Sequence, residues 1–289
     1  MNLNQLLREG IGRLSPTGNA DAGTDARLLL LAAFDLDLAH YLMSGAQPLP
    51  EDEMTAARTA AYRSMIGRRL ERIPVQQILG TQDFMGMTFM VNEHVLIPRQ
   101  DTETLVELIL EERKDRNAAV LDLGTGSGCI AVSLAVLGPY KSVTAVDISR
   151  PALEVAGSNA ERLLGDGGKK ISFVQSDLFA GLQGRRYDII VSNPPYIPTA
   201  VIAGLEPEVR EHEPLMALDG SEDGLKFYRR IAKEAEAYGN PGFWLYLEIG
   251  YDQGEAVGGL LKERGYSKVE VFKDLPGKDR IVRGCLLRE

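Results

Sequence analysis

Val120-Leu121-Asp122-Leu123-Gly124-Thr125-Gly126-Ser127-Gly128 runs from a short strand into a glycine-rich turn, and Cys129 to Leu137 continue it as a helix. Glycines at such a junction let the turn be tight and bring the backbone close to a ligand that the helix amides face. Asp147 follows Gly128 by 19 residues, at the end of the next apolar run, Ser142 to Val146. Its carboxylate is placed to accept both hydroxyls of a ribose. Dinucleotide enzymes use G-x-G-x-x-G, whereas the glycines here read G-x-G-x-G with Asp122 two residues upstream. The difference favours S-adenosylmethionine, which brings no pyrophosphate and whose amino and sulfonium charges suit a nearby carboxylate.

Outward from this stretch, from Val95 onward, short apolar runs alternate with helical patterns. Ile171 to Val174, Tyr187 to Val191 and Phe243 to Ile249 are the further runs, and the alternation predicts an α/β domain with a mostly parallel sheet covered on both faces. The carboxyl end differs. Val269 to Phe272, a Pro276-Gly277 turn and Arg280 to Leu287 predict an antiparallel hairpin. Upstream, Val75, Ile78, Phe84, Met87, Phe89 and Val91, punctuated by Gly80 and Gly86, predict a β-hairpin linker over 74–95. Residues 1–73 read as a small helical bundle. Leu3, Leu6, Leu7, Ile11 and Leu14 form one stripe, Thr24-Asp25 caps a second helix through Leu28, Leu31 and Ala32, and Met54, Ala57, Ala61, Met65 and Leu70 mark a third. The bundle carries no glycine-rich loop, paired acids or nucleophile, so its expected role is partner binding. The catalytic domain is expected over 96–289.

Composition narrows the classes. The 289 residues are 44% apolar and 25% charged, as in a globular protein able to bury a core. No run of about 18 uncharged apolar residues could cross a bilayer. Met1 to Gly10 has no secretory pattern, so a cytoplasmic location is expected. Cys129 and Cys285 make no disulfide framework, and His40, His94 and His212 offer no metal-ligand spacing, so no metal is expected. The net charge of -9 argues against a stable nucleic-acid partner. Arg58, Arg63, Arg68, Arg69 and Arg72 form the one basic stretch. They could contact RNA or an acidic partner, but the default is the solvated face of a helix.

After the strand ending at Val191 comes Ser192-Asn193-Pro194-Pro195-Tyr196, where the carboxyl end of a parallel strand meets a crevice. Two prolines fix the backbone and leave the preceding carbonyls without a local amide. A planar nitrogen bearing two hydrogens could donate one to the Asn193 side-chain oxygen and the other to the Pro194 carbonyl, with Tyr196 stacked on its plane. An amide or exocyclic amine nitrogen is a poor nucleophile because its lone pair is delocalised, and holding both hydrogens directs that pair at a methyl sulfonium. No strong base is needed, since the extra proton leaves only after a cationic transition state that the same acceptors stabilise. The remaining alternative for this motif is a rigid Pro-Pro turn with a buried tyrosine.

The sequence resembles the release-factor glutamine methyltransferases over almost its whole length. The likeness is carried by Ile73-Pro74-Val75-Gln76, Val95-Leu96-Ile97-Pro98-Arg99-Gln100-Asp101-Thr102-Glu103, the glycine-rich loop, Ala145 to Ser149, Ser176-Asp177-Leu178-Phe179 and Asn193-Pro194-Pro195-Tyr196-Ile197. Glu213-Pro214, Ala217-Leu218, Asp223-Gly224-Leu225, Leu247-Glu248-Ile249-Gly250 and Lys273 to Arg280 fit as well. Asn-Pro-Pro-Tyr alone also occurs in adenine amino-methyltransferases of DNA; its combination with Leu96-Ile97-Pro98-Arg99 and a helical amino-terminal domain is specific.

The resemblance implies a class I methyltransferase fold, Rossmann-like and doubly wound, with a seven-stranded sheet behind the bundle and hairpin. It implies methyl transfer from S-adenosylmethionine, with S-adenosylhomocysteine as product, to the glutamine side-chain nitrogen in the Gly-Gly-Gln motif of bacterial peptide chain release factors. Gly124, Thr125, Gly126, Ser127 and Gly128 would hold the methionine part of the cofactor and Asp147 the ribose, while Asp177 and Leu178 border the adenine. Asn193, Pro194, Pro195 and Tyr196 would grip the glutamine amide. Arg99 and Glu103 resemble the mouth of the pocket, or else an ordinary helix-start pair. Leu178 stands where the family often has an aromatic residue, and Gln77 where it commonly has Tyr. The loop Pro198 to Asp219, with Glu206, Glu208, Glu211 and Glu213, is the natural wall for a protein substrate, a solvated charge run being its default. Cys129 and Trp244 are expected to pack rather than react. A monomer is the default state.

Three other functions remain in view: a nucleic-acid amino-methyltransferase acting on adenine or guanine, a nicotinamide-dependent oxidoreductase, and a binding module that has lost activity. The acidic balance and the absence of a Lys- and aromatic-rich recognition domain stand against the first. The glycine spacing stands against the second, and the intact Asn-Pro-Pro-Tyr against the third.

Overall fold

The computed structural model describes residues 1–165 and 171–287. In chain order the helices are α1 (Leu3–Leu14), α2 (Ala22–Phe34), α3 (Leu38–Ser44), α4 (Glu53–Leu70), α5 (Val75–Leu79), α6 (Gln100–Glu112) and α7 (Cys129–Leu137). They continue as α8 (Arg150–Leu164), α9 (Thr199–Ile202), α10 (Pro207–His212), α11 (Leu215–Leu218), α12 (Lys226–Glu234) and α13 (Gly254–Glu263). The strands are β1 (Thr81–Phe84), β2 (Met87–Met90), β3 (Ala119–Leu123), β4 (Ser142–Asp147), β5 (Ile171–Gln175), β6 (Tyr187–Ser192), β7 (Gly239–Glu248), β8 (Ser267–Lys273) and β9 (Asp279–Leu286). They fall into two compact units, Met1–Gly80 with Pro207–His212, and Thr81–Glu206 with Glu213–Glu289.

In the helical unit, α1 starts at a capping box in which Asn2 Oδ1 accepts from the Gln5 amide (2.9 Å) and Gln5 Oε1 from the Asn2 amide (2.9 Å). Leu6 and Leu14 of α1 pack with Leu29, Leu30, Tyr62 and Ile66 as the core. Three expectations change here. The second helix begins at Ala22, so Thr24-Asp25 lies inside it rather than capping it. The buried face of α4 is Thr59, Tyr62, Ile66 and Arg69, one step round from the expected stripe, and Met54 is exposed. The basic stretch is not uniformly a solvated face. Arg69 is buried, with Nε 2.6 Å from Asp25 Oδ2 and Nη2 2.7 Å from Glu208 Oε1, and Arg72 Nη2 sits 2.5 Å from Glu208 Oε2. These ion pairs turn the polar side of α4 inward.

The linker expected over 74–95 also divides differently. Val75–Leu79 is helical because Pro74 sets φ at its start and Gly80, at φ +76°, ends it. The hairpin proper is β1 and β2 with a two-residue turn, Met85-Gly86, both at positive φ as a tight right-twisted hairpin requires. The Met85 amide donates to Glu103 Oε1 at 2.6 Å, which fixes that turn.

The large sheet has the order β5-β4-β3-β6-β7-β9-β8, parallel from β5 to β7, with β9 antiparallel to both neighbours. This matches the expected doubly wound fold with its antiparallel end. One face packs on α6 and α7 through Leu105, Ile109, Ile130 and Leu134, and the other on α12 and α13 through Tyr228, Ile231, Val257 and Leu261. The chain runs outward from β3 through β4 to β5, then returns to β6 on the other side of β3, so the strand order reverses between β3 and β6. A crevice opens at the carboxyl ends of strands at such a point. Among the described residues no helix is long and apolar enough to cross a membrane.

Candidate active site

The crevice is real and is lined by both motifs. Gly124, Gly126, Asp147, Asp177, Leu178, Asn193, Pro194 and Pro195 all face one pocket, together with Ile148 and Phe227. The loop is built by hydrogen bonds that leave its glycines turned to this space. Gly124 and Thr125 amides both donate to the Val146 carbonyl (2.8 Å each), and the Thr125 hydroxyl donates to Asp122 Oδ2 at 2.7 Å. Thr125, Ser127 and Gly128 lie behind the pocket wall: Thr125 and Ser127 are buried, and Gly128, at φ +81°, would carry a Cβ only 3.0 Å from that of Ala156. Asn159 of α8 secures the loop from below. Its Nδ2 donates to the Ser127 carbonyl (2.9 Å) and the Met90 carbonyl (3.0 Å), and its Oδ1 accepts from the Met90 amide (2.7 Å).

Asp147 Oδ2 accepts from the Gly126 amide and Oδ1 from the Ser149 amide, each at 2.9 Å. Burial raises its pKa while these amides lower it. Each oxygen keeps a lone pair for a ribose hydroxyl. Asp122 is more deeply enclosed: burial pushes its carboxyl up to about 7, aided by the Asp147 charge and opposed by Thr125. Asp177 is half-exposed and pairs with Arg230 at 2.8 Å. Leu178 is buried at φ +49°. The apolar side chains Ile148, Leu178 and Phe227 around Asp177 fit an adenine ring, the glycines and Asp147 fit the rest of S-adenosylmethionine, and the donor set matches the group.

Asn193 Nδ2 donates to Thr102 Oγ1 at 3.3 Å, which leaves its Oδ1 as the end free to accept from a ligand. Tyr196 does not line the pocket. It packs on the core beneath, its carbonyl accepting from Gln253 Nε2 (3.0 Å), and burial pushes its hydroxyl up to about 12. Gly220 and Gly224 exist for that packing: a Cβ at Gly224 would stand 2.3 Å from the Tyr196 carbonyl oxygen, and one at Gly220 2.8 Å from its backbone. Arg99 and Glu103 are not a helix-start pair. Arg99 Nη2 reaches the buried Glu213 Oε1 (2.6 Å), fixing the loop after Asn-Pro-Pro-Tyr, while Glu103 holds the hairpin turn. Burial, the larger effect, raises the Glu213 pKa against the Arg99 charge. Glu208 and Glu213 are thus ion-paired rather than members of a solvated run.

Sequence reasoning gave Thr102 and Glu248, which stand in the stretches that carry the likeness, no role of their own, and it passed over Gln253. Glu248 is the last residue of β7, within the apolar run Phe243 to Ile249, is 1% exposed, and is pushed up to about 7 by burial, against hydrogen bonding to Thr102 and Asn193 and the Arg280 charge. A lone acid closing an apolar strand was the available signal, since burying such a group without purpose is costly. Cys129 is buried with its thiol pushed up to about 12, which makes it inert. Trp244 stacks under Arg113 at 3.7 Å, as a packing residue. No cluster of metal-ligating side chains occurs among the described residues.

Two family models match the chain, "Methyltransferase small domain" over residues 99–203 and "PrmC N-terminal domain" over 5–80. The solved methyltransferase from Pyrococcus furiosus, at 18% identity, superposes over 71% of this chain and 91% of its own with a TM-score of 0.52. The catalytic domain of hMettl16 does so over 78% and 82%, at 18% identity and a TM-score of 0.58. Both share the fold. The release factor glutamine methyltransferase of Geobacter sulfurreducens is 45% identical over 273 residues, 94% of this chain and 93% of that protein. That of Bacillus subtilis is 43% identical over 265 residues, 89% of each. Likeness of this depth along both domains' worth of sequence, with every motif of the crevice in place, means that the chain belongs to the release factor glutamine methyltransferase family.

Proposed function

We propose that this protein transfers a methyl group from S-adenosylmethionine to the side-chain amide nitrogen of the glutamine in the Gly-Gly-Gln motif of peptide chain release factors, in the cytoplasm and as a monomer. The observation that carries the reading is the sharing of one pocket by Asp147 and the glycine loop with Asn193, Pro194 and Pro195. Gly124, Gly126 and Asp147 would hold the cofactor, with Asp177 and Leu178 beside its adenine. S-adenosylmethionine, when bound, supplies an electrophilic methyl group.

The protein's own part is orientation. Asn193 Oδ1 and the Pro194 carbonyl accept the two amide hydrogens of the substrate glutamine, which aims the nitrogen lone pair at the methyl carbon. As the substrate nitrogen takes the methyl group that the cofactor would supply, positive charge would grow on it, and both acceptors would bind its hydrogens more tightly. The nitrogen then gives one hydrogen up to solvent, leaving the N-methyl amide. Pro194 and Pro195 keep the carbonyl fixed without conformational cost at the moment of reaction. The helical unit and the loop after Tyr196 are assigned to docking the release factor.

The test is methyl transfer from labelled S-adenosylmethionine to a purified release factor, beside the same factor with its Gly-Gly-Gln glutamine changed to alanine, and beside DNA and ribosomal RNA. Label on the intact factor alone is the expected result. Label confined to nucleic acid would move the same caged-nitrogen chemistry to another substrate and overturn the proposal.

A further inference from the structure

A side-chain amide can sit either way round in a crevice of this shape, and only one way presents an acceptor to a substrate N–H. The partner seen for the Asn193 amide is the Thr102 hydroxyl, which is 2% exposed. A hydroxyl both donates and accepts, so Thr102 alone selects neither orientation. Behind it lies Glu248, 1% exposed, which follows Leu247, the register partner of Ser192, and so stands beside Asn193 at the ends of β6 and β7; hydrogen bonding to the Thr102 and Asn193 side chains works to lower its pKa. An ionised carboxylate only accepts. With Thr102 donating to Glu248, the threonine oxygen is left to accept, and the Asn193 NH2 must turn toward it.

We propose that Glu248 is a positioning residue that sets the hydrogen-bond polarity of a Glu248–Thr102–Asn193 chain and so fixes the Asn193 oxygen toward the pocket. The inference rests on Asn193 gripping the substrate amide. The surroundings of Glu248 are built to keep it in place. Tyr228 donates to its backbone carbonyl at 2.8 Å. Arg280 of β9 lies nearby, itself held at 3.0 Å by Asp101 of α6 and by Asp274, and its charge favours the ionised carboxylate while Asp101 disfavours it. Glu248 Oε2 is buried without a hydrogen-bond partner.

The experiment measures kcat and KM for a release factor at pH 8.5, and equilibrium cofactor binding, in a set of full-length variants. Glu248→Gln offers an NH2 to Thr102 and allows the chain to reverse. We expect kcat to fall at least ~10-fold, less than the ~100-fold for outright loss of an oriented acceptor because Asn193 is still present and only its orientation is freed, with the cofactor dissociation constant within about 3-fold of wild type. Thr102→Val should fall likewise and Thr102→Ser should not, which keeps the test open if Glu248→Gln folds poorly. Asn193→Asp sets two carboxylates at opposite ends of the chain; adding Glu248→Gln restores a donor at one end, so the double variant should exceed Asn193→Asp at least ~10-fold. A wild-type kcat in Glu248→Gln, or a double variant no better than Asn193→Asp, overturns the assignment. An Asn193→Ala variant separates the two readings: if it keeps full turnover, the grip itself is wrong, and if it loses turnover while Glu248→Gln does not, only the positioning role is wrong.

Discussion

Asn193 and Gly128 make opposite demands on a substitution. Asn193 is half-buried and its oxygen has no structural duty, so Asn193→Ala should leave cofactor affinity within a few-fold and lower kcat by at least about 100-fold, the scale of losing an oriented acceptor; turnover kinetics beside cofactor titration check it. Gly128 sits at φ +81° with a Cβ position 3.0 Å from that of Ala156. Gly128→Ala should therefore cost about 1–3 kcal/mol of stability and weaken the cofactor more than it changes kcat. Urea unfolding and cofactor titration give both numbers. The residues legible in the sequence are those whose chemistry is contiguous: the glycine loop, Asp147 and Asn193 carry their meaning within five residues or at a strand's length. Glu248, Thr102 and Gln253 were not legible because their partners lie far off in the chain, as with Asn193 and Thr102, 91 residues apart. Tyr196 was legible as part of the motif but not in its role, since it takes the fold, with Gly220 and Gly224 in close approach and Gln253 on its carbonyl, to show that it packs instead of lining the pocket.

At the scale of elements, periodicity located the strands of the large sheet and the helix Leu3–Leu14, because one buried stripe or run decides each of them. It misjudged α4, whose inward side includes Arg69. An ion pair spanning 139 residues leaves no periodic trace, and Arg69 and Glu208 each looked like a solvated charge. The consequence is measurable. Pro207–His212 groups with the helical unit although both its flanks group with the other, and Glu208 is its acid against Arg69 and Arg72. Removing it leaves the buried Arg69 with Asp25 alone. Glu208→Ala should lower stability by about 2–4 kcal/mol, below the loss of an entire buried partner because Asp25 remains, while Glu211→Ala, at an exposed position, should change it by less than about 0.5 kcal/mol. Equal effects from the two would show that Glu208 has no anchoring role.

Across the whole molecule the carboxylates with shifted pKa values fall into two sets with opposite pH signatures. Glu9, Glu208 and Asp223 have pKa values lowered by arginine partners and hydrogen bonds, and Asp219 by the Thr199 hydroxyl and the Ser221 amide; the stability they add is lost on acidification through their folded pKa. Asp122 and Glu248 are buried and raised to about 7. For these the native state holds a proton that the unfolded chain has already released between about pH 4 and 7, so their contribution is fullest below the unfolded pKa and falls as pH rises to about 7. The loss is at most about 4 kcal/mol for each. The protein thus spends stability at two acids buried behind the candidate site, Asp122 bonded to the glycine-loop residue Thr125 and Glu248 beside Asn193. Asp122→Asn keeps an acceptor for the Thr125 hydroxyl and removes the titration. It should raise the urea midpoint relative to wild type at pH 8 and leave it nearly unchanged at pH 4.5, the difference growing through neutrality. A gain of equal size at both pH values would mean that packing, and not the charge on Asp122, sets the cost.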